Sequence, residues 1–236
     1  MELLKVYELR LKVYLLEDIT KNEVYDAIAE MIDSSLEQNS FYAKLHEENR
    51  YKNYCFDALY KTEKNGIYQR DKIYSCRIRT VDENLANYLG EHLENQSTRK
   101  MKGLKSEIRI IPKRHIERIY SITPAIVKIN NFEDSYWKNN VSLEEYEKLL
   151  KENLIKKFNF LTGLKINEDF PLYSQIEFLN RTPCCVPYKN IKLLGDKIQL
   201  TAADDEMSQS LLYLAIGTGI QCLNARGMGF VNYKFI

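Results

Sequence analysis

The chain has three histidines, His46, His92 and His115, and histidine is the usual proton-transfer group near neutral pH. His92 falls on a predicted helix beside Glu91 and Glu94, the pattern of a solvated helix face. His115 ends a basic stretch. His46 lies in Phe41-Tyr42-Ala-Lys44-Leu-His46-Glu-Glu-Asn-Arg50-Tyr51-Lys52, which puts an imidazole, a phenol and several cations in a predicted loop between a helix and a strand. Loops on a rigid scaffold concentrate catalytic groups, although a plain surface histidine fits the same position. Paired acids are sparse. Asp204-Asp205-Glu206 precedes a helical pattern and reads as N-capping, and no two-metal nuclease cluster is visible.

The C-terminus carries a second chemical signal. Gly217, Gly219, Gly227 and Gly229 are four of the nine glycines, held within thirteen residues. Fixing glycine costs backbone entropy, so such a cluster implies left-handed backbone or close approach to something large. Bare N–H groups there can cradle phosphate oxygens. A dinucleotide loop runs from strand to helix, whereas this one runs from a helical pattern, Met207 to Ile216, into a strand pattern, Phe230 to Phe235. The Gly-Lys-Ser/Thr of a P-loop is absent. A helix cap followed by a tight turn remains the simpler reading.

Between residues 99 and 118 there are eight Lys or Arg against two Glu, including Lys105, Arg109, Lys113 and Arg114. This stretch is a phosphate-tracking stripe or a charge-guarded edge strand. The net charge of the whole chain is only +1, so any polyanion footprint must be local. No run of 18 apolar residues or signal-peptide pattern occurs, which gives the expectation of a cytoplasmic protein with no membrane partner. Five irregularly spaced cysteines without a Cys-x-x-Cys pair read as free thiols and not as a zinc site. No cofactor fingerprint is present.

The elements that must position these groups follow from periodicity. Alternation predicts strands over 3–15, 52–60, 67–80 and 107–119, with Pro112 marking an edge or bulge in the last. Helical spacing predicts helices over 22–38 and 81–95. The order is β-α-β-β-α-β, the ferredoxin-like signature. A second such unit is expected from a strand at 124–129, a helix at 142–161 capped by Ser142, a strand at 175–179, a hairpin from 186 to 201 turning at Gly195-Asp196, a helix at 206–216 and the final strand. The expected fold is α+β, two tandem ferredoxin-like domains at 1–121 and 122–236.

With these residues in place, the ending Gly217-x-Gly219-x₇-Gly227-x-Gly229-Phe-Val resembles the glycine-rich loop of the CRISPR-associated endoribonucleases that cut precursor CRISPR RNA within its repeats, the sixth protein of the Cas series. Leu45-His46 followed by Lys52-Asn-Tyr-Cys-Phe looks like that family's histidine loop. The resemblance implies metal-free cleavage by a ribose 2′-hydroxyl. It assigns proton transfer to His46, stabilisation of the developing anion to Lys52, and an orienting or proton-donating phenol to Tyr42 in preference to Tyr25. It implies a CRISPR repeat transcript as partner, held by the glycine loop, Asn224, Arg226 and the basic stripe. Whether the protein works as a monomer or homodimer, and whether it joins other effector subunits, stays open. Two rivals remain, a non-catalytic member of the same superfamily and a general single-strand RNA binder. The second lacks the Lys/Arg-Gly-Phe-type motif on its third strand, where Tyr68 and Tyr74 stand instead.

Overall fold

The computed structural model describes residues 4–48, 50–129 and 136–236. The chain forms two compact units, Met1–Ile111 with Ala225–Gly227, and Pro112–Asn224 with Met228–Ile236.

In the first unit, β1 (Val6–Leu15), β3 (Tyr54–Phe56), β5 (Ile73–Thr80) and β6 (Met101–Ile111) form an antiparallel sheet ordered β3-β5-β1-β6. The helices α1 (Val24–Leu36) and α3 (Glu83–Leu93) supply the crossovers. Strand β1 shows why the layers separate. Leu9, Leu11, Val13 and Leu15 are buried in one core with Ile28, Met31, Ile32, Leu85 and Leu89 of the helices. Arg10 and Lys12 alternate out to the opposite face, where both are exposed. Two short strands, β2 (Ile19–Thr20) and β4 (Ile67–Tyr68), pair beside this sheet.

The second unit repeats the plan. Strands β7 (Ile116–Ser121), β8 (Tyr173–Phe178), β11 (Ile198–Ala202) and β12 (Val231–Phe235) form a sheet ordered β12-β7-β11-β8. Helices α4 (Leu143–Thr162) and α5 (Glu206–Thr218) connect them. Numbered within each unit, both sheets run 4-1-3-2, so the two ferredoxin-like units foreseen from element order are present. Ser142 accepts from Glu145 N and Asp205 from Ser208 N, the expected N-caps. The short hairpin of β9 (Cys184–Tyr188) and β10 (Ile191–Gly195) stands apart as its own sheet.

Several expectations need correction. The predicted strand at 107–119 is two strands in different sheets, because Pro112 has no N–H to continue the ladder. The first strand of the second unit is therefore β7, not 124–129, where only single bridges form at Ala125 and Ile126. The hairpin turns at Lys189-Asn190, with Lys189 at φ 51°, and not at Gly195-Asp196. Asp196 is instead buried, accepting from Trp137 Nε1 at 2.7 Å and Asn180 Nδ2 at 2.6 Å. The predicted loop around residue 46 is the helix α2 (Ser40–Glu47). Asn39 caps it by accepting from the N–H groups of Phe41 and Tyr42, and an Asn at that position is the sequence signal for such a helix start. Among the described residues no helix is long and apolar enough to cross a membrane.

Candidate nucleic-acid interface and catalytic cluster

Position 46 lies in the last turn of α2, one turn after Tyr42. The imidazole of His46 lies outside the described residues. Lys52 sits directly beyond the same helix end. Its Nζ donates to the carbonyls of Leu45 at 2.5 Å and Glu48 at 2.6 Å, closing the C-terminus of α2 where carbonyls lack helical partners. Partial burial lowers the Lys52 ammonium pKa, and Arg50 and Arg226 push the same way. Position 46 and Lys52 are thus parts of one local structure.

Tyr42 turns toward α3. Its ring packs 4.6 Å from that of Tyr88 and 5.3 Å from Phe41. Burial, helped by Asp82, raises its phenol pKa. The aromatic row continues to His92, stacked 3.9 Å from Tyr88. His92, expected as a solvated helix position, forms one side of that stack.

Residues Ala225–Gly227 belong to the first unit. Arg226 donates from Nη1 to Asp33 Oδ2 of α1 at 2.5 Å. A Cβ at Gly227 (φ +82°) would lie 2.6 Å from Tyr25 Cδ1 and 2.9 Å from Phe56 Cε2, so only glycine fits against these two rings. Tyr54 is buried beside them in the same core, its hydroxyl without a partner among the described residues. The charges of both Asp33 and Arg226 reach Lys52 and Tyr54. Arg226 is therefore tied to protein, and Tyr25, not Tyr42, is the phenol beside the glycine-rich segment.

The remainder of that segment is braced from within the second unit. Lys157, a buried lysine of α4, donates to Gly219 O at 2.8 Å and Asn224 Oδ1 at 2.7 Å. The Asn224 amide then donates to Ile220 O at 2.9 Å and Met228 O at 3.0 Å. Gly229 (φ +65°) comes so near that a Cβ would fall 2.0 Å from Ile220 O. Gly219 takes a left-handed φ of +75°, while Gly217 is buried inside α5. Asn224, expected to face phosphate, is spent on holding the loop's shape. Lys157 escapes a reading of the sequence, since nothing in a helical Lys-Lys-Phe marks which lysine is buried.

The basic stretch is divided between the units. Lys113 and Arg114 are exposed in the second, with Lys113 Nζ donating to Ser210 Oγ at 3.3 Å. Lys105 and Arg109 join a wider basic face on the side of the first sheet opposite the core that α1 and α3 cover. Strand register aligns Arg79, Glu8 and Arg109 in one row, Arg77, Arg10 and Glu107 in the next, and Ser75, Lys12 and Lys105 in a third. Glu8 is fully buried and accepts from Arg10, Arg79 and Arg109. Burial pulls its pKa up, but the guanidinium groups of Arg79, Arg10 and Arg109 outweigh that and leave it lowered. The outer part of the face stays open, with Arg10 and Arg109 half exposed and Lys105 63% exposed. Arg10, Lys12 and Arg77 come from strands whose charges look unremarkable in sequence, and only the register assembles them.

A chain of two ferredoxin-like units, with a glycine-rich segment before its last strand, defines a fold class shared with solved structures. One, described as CRISPR associated protein Cas6, matches with a TM-score of 0.68 at 20% identity over 97% of this chain and 99% of its own. A second, an RAMP protein binding different RNA substrates, matches at 0.73 and 15% identity over 97% and 99%. A third, from a Cas6-related gene of Pyrococcus furiosus, matches at 0.67 and 16% over 97% and 98%. No curated protein sequence matches. The family model for the C-terminal part of CRISPR associated protein Cas6 matches residues 111–233, more than half of the chain. The chain belongs to the Cas6 family.

Proposed function

We propose that this protein is a metal-independent endoribonuclease that cuts CRISPR repeat RNA to release guide RNAs. The observation that carries the reading is the closure of α2 by Lys52, which ties a cation to the helix end that bears position 46. Family membership and neighbours described as Cas6 and RNA-binding RAMP proteins support RNA as the partner.

In this reading the ribose 2′-hydroxyl upstream of the cut attacks the adjacent phosphorus. The P–O5′ bond breaks, leaving a 2′,3′-cyclic phosphate and a 5′-hydroxyl. One proton leaves the 2′-oxygen and one reaches the 5′-oxygen, and His46 carries one of these transfers. The Lys52 ammonium faces the negative charge that builds on the phosphorane oxygens. The phenol that orients the reacting groups is reassigned from Tyr42 to Tyr25, because Tyr25 adjoins Gly227. The open basic face of the first sheet holds the sugar–phosphate chain through Arg10, Lys12, Lys105 and Arg109. Gly217, Gly219, Gly227 and Gly229 shape the loop, while Lys113 and Arg114 add exposed positive charge in the second unit.

A second reading has its own observation. Lys52 already spends hydrogen bonds on the carbonyls of Leu45 and Glu48, which suits a purely structural lysine and a non-catalytic RNA-binding subunit. Incubating the protein with repeat RNA in EDTA and mapping the ends separates the two. The nuclease reading expects cyclic-phosphate ends from the wild type. It expects a loss of about 10²- to 10⁴-fold in rate for His46→Ala with RNA affinity retained. Binding without any cut would establish the second reading.

A further inference from the structure

We infer that Tyr60 and Ile73 bound a stacking subsite for one unpaired nucleobase of RNA, with Lys12 taking the adjoining phosphate. This subsite rests on the RNA-binding reading of the basic face and adds to it a contact made by a ring instead of a charge. Tyr60 follows β3 and exchanges backbone hydrogen bonds with Ser75 of β5, at 2.7 and 2.9 Å. Residues opposed in this way share one face of a sheet. Leu59 and Tyr74 turn into the core, so Tyr60 and Ser75 turn away from it.

Strand register extends that row across the sheet. Ser75 faces Lys12 of β1, and Lys12 faces Lys105 of β6. The neighbouring row holds Ile73, Tyr14 and Lys102. Tyr60 is 66% exposed and Ile73 60%. The other tyrosines at this end are committed to protein. Tyr68 and Tyr74 meet edge to face at 5.2 Å, and the Tyr14 hydroxyl donates to Asp71 at 2.7 Å. Tyr60 is the exposed ring of the group.

The spacing suits one flat ring. Tyr60 and Ile73 are diagonal neighbours, about 7–8 Å apart. A ring held between two side chains needs roughly the same, since each carbon contact takes about 3.5–4.0 Å. Ser75, with its small side chain, stands between Tyr60 and Lys12, so the surface dips there. A base laid against Tyr60 over this dip turns its phosphate toward Lys12. The surroundings favour a nucleotide over a protein partner. Lysine is depleted in the buried centres of protein interfaces, whereas Lys12, Lys102 and Lys105 border these two apolar side chains. Rings beside cations are what a single strand requires. In a duplex the bases already stack on one another, so the subsite takes unpaired RNA only.

Titrations with an oligouridylate, which does not pair with itself, and with a blunt RNA duplex test the subsite without any need for cleavage. Tyr60→Ala is expected to weaken oligouridylate binding about 5- to 100-fold. Its log–log salt slope should match the wild type, because no phosphate contact is lost. Tyr60→Phe should keep the wild-type affinity. Ser75→Leu fills the dip and should behave like Tyr60→Ala. The duplex should bind the wild type and Tyr60→Ala alike. Circular dichroism should stay unchanged throughout, since both side chains point away from the core. Oligouridylate affinity that survives Tyr60→Ala overturns the subsite and leaves the nuclease reading standing. A loss shared by Tyr60→Phe, a shallower salt slope in Tyr60→Ala, or an equal loss on the duplex overturns it as well. A wild type that binds no RNA of either kind overturns both readings.

Discussion

Arg226 donates to Asp33 at 2.5 Å across 193 positions of sequence, so a residue of the glycine-rich C-terminal segment completes a charge pair with the first helix. Asp33 is the more buried partner, with 17% of its side chain exposed against 35% for Arg226. A charge-assisted hydrogen bond in such a setting contributes on the order of 1–3 kcal/mol. Asp33→Ala is expected to lower the urea midpoint accordingly and Asp33→Asn to recover part of it. Equal midpoints for all three proteins would show that the pair holds nothing.

The buried Glu8 carboxylate, held by Arg79, Arg10 and Arg109, predicts acid lability with a definite sign. Its folded pKa lies below the unfolded value, so its contribution is complete above the ordinary glutamate range and lost as pH falls through the folded pKa. Stability should therefore drop on acidification below about pH 4. Glu8→Gln leaves Arg79, 1% exposed, without its counter-charge. It should cost about 3–5 kcal/mol at neutral pH and flatten the acid slope. Urea titrations from pH 3 to 7 on both proteins check slope and magnitude together.

Asn224 braces the glycine-rich loop. Asn224→Ala strips hydrogen bonds from Ile220 O, Met228 O and the Lys157 ammonium, and should destabilise the fold by about 1–3 kcal/mol. If Asn224 instead contacted phosphate, the variant would melt like the wild type and bind RNA less tightly. Thermal melts with parallel RNA titrations separate these outcomes.

The open basic face predicts a salt signature. Replacing Lys12 or Lys105 by alanine should weaken RNA binding across all sequences. It should also reduce the log–log salt slope by about 0.7 for each single-strand phosphate that the protein no longer neutralises. Neither residue is buried, so stability should hold. An unchanged slope in the double variant would place the strand elsewhere.

Sequence patterning exposed the fold because alternation in β1 and the helical stripes of α1 and α4 reflect burial directly. Pro112 marks a break in its strand, yet the consequence, a switch of sheets, depends on which strand receives β7, and pairing partners are not written in local periodicity. The glycines were legible as a demand for unusual backbone. Their cause was not, since Tyr25, Phe56, Ile220 and Asn224 come close only after folding. Likewise the linear stripe at 99–118 showed Lys105 and Arg109, while Arg10, Lys12 and Arg77 joined them only through strand register. Lys52 was found by resemblance, and its hydrogen bonds to the end of α2 supplied a physical role that spacing did not reveal.

Cleavage of a repeat RNA carrying one 2′-deoxy nucleotide at the mapped cut site, in EDTA, tests the central claim most directly. Wild-type affinity and no cut at that position are predicted, beside efficient cutting of the all-ribose strand, because the attacking oxygen is the substrate's own. Cutting of the deoxy strand at the same position would contradict the claim, since the nucleophile would then come from elsewhere.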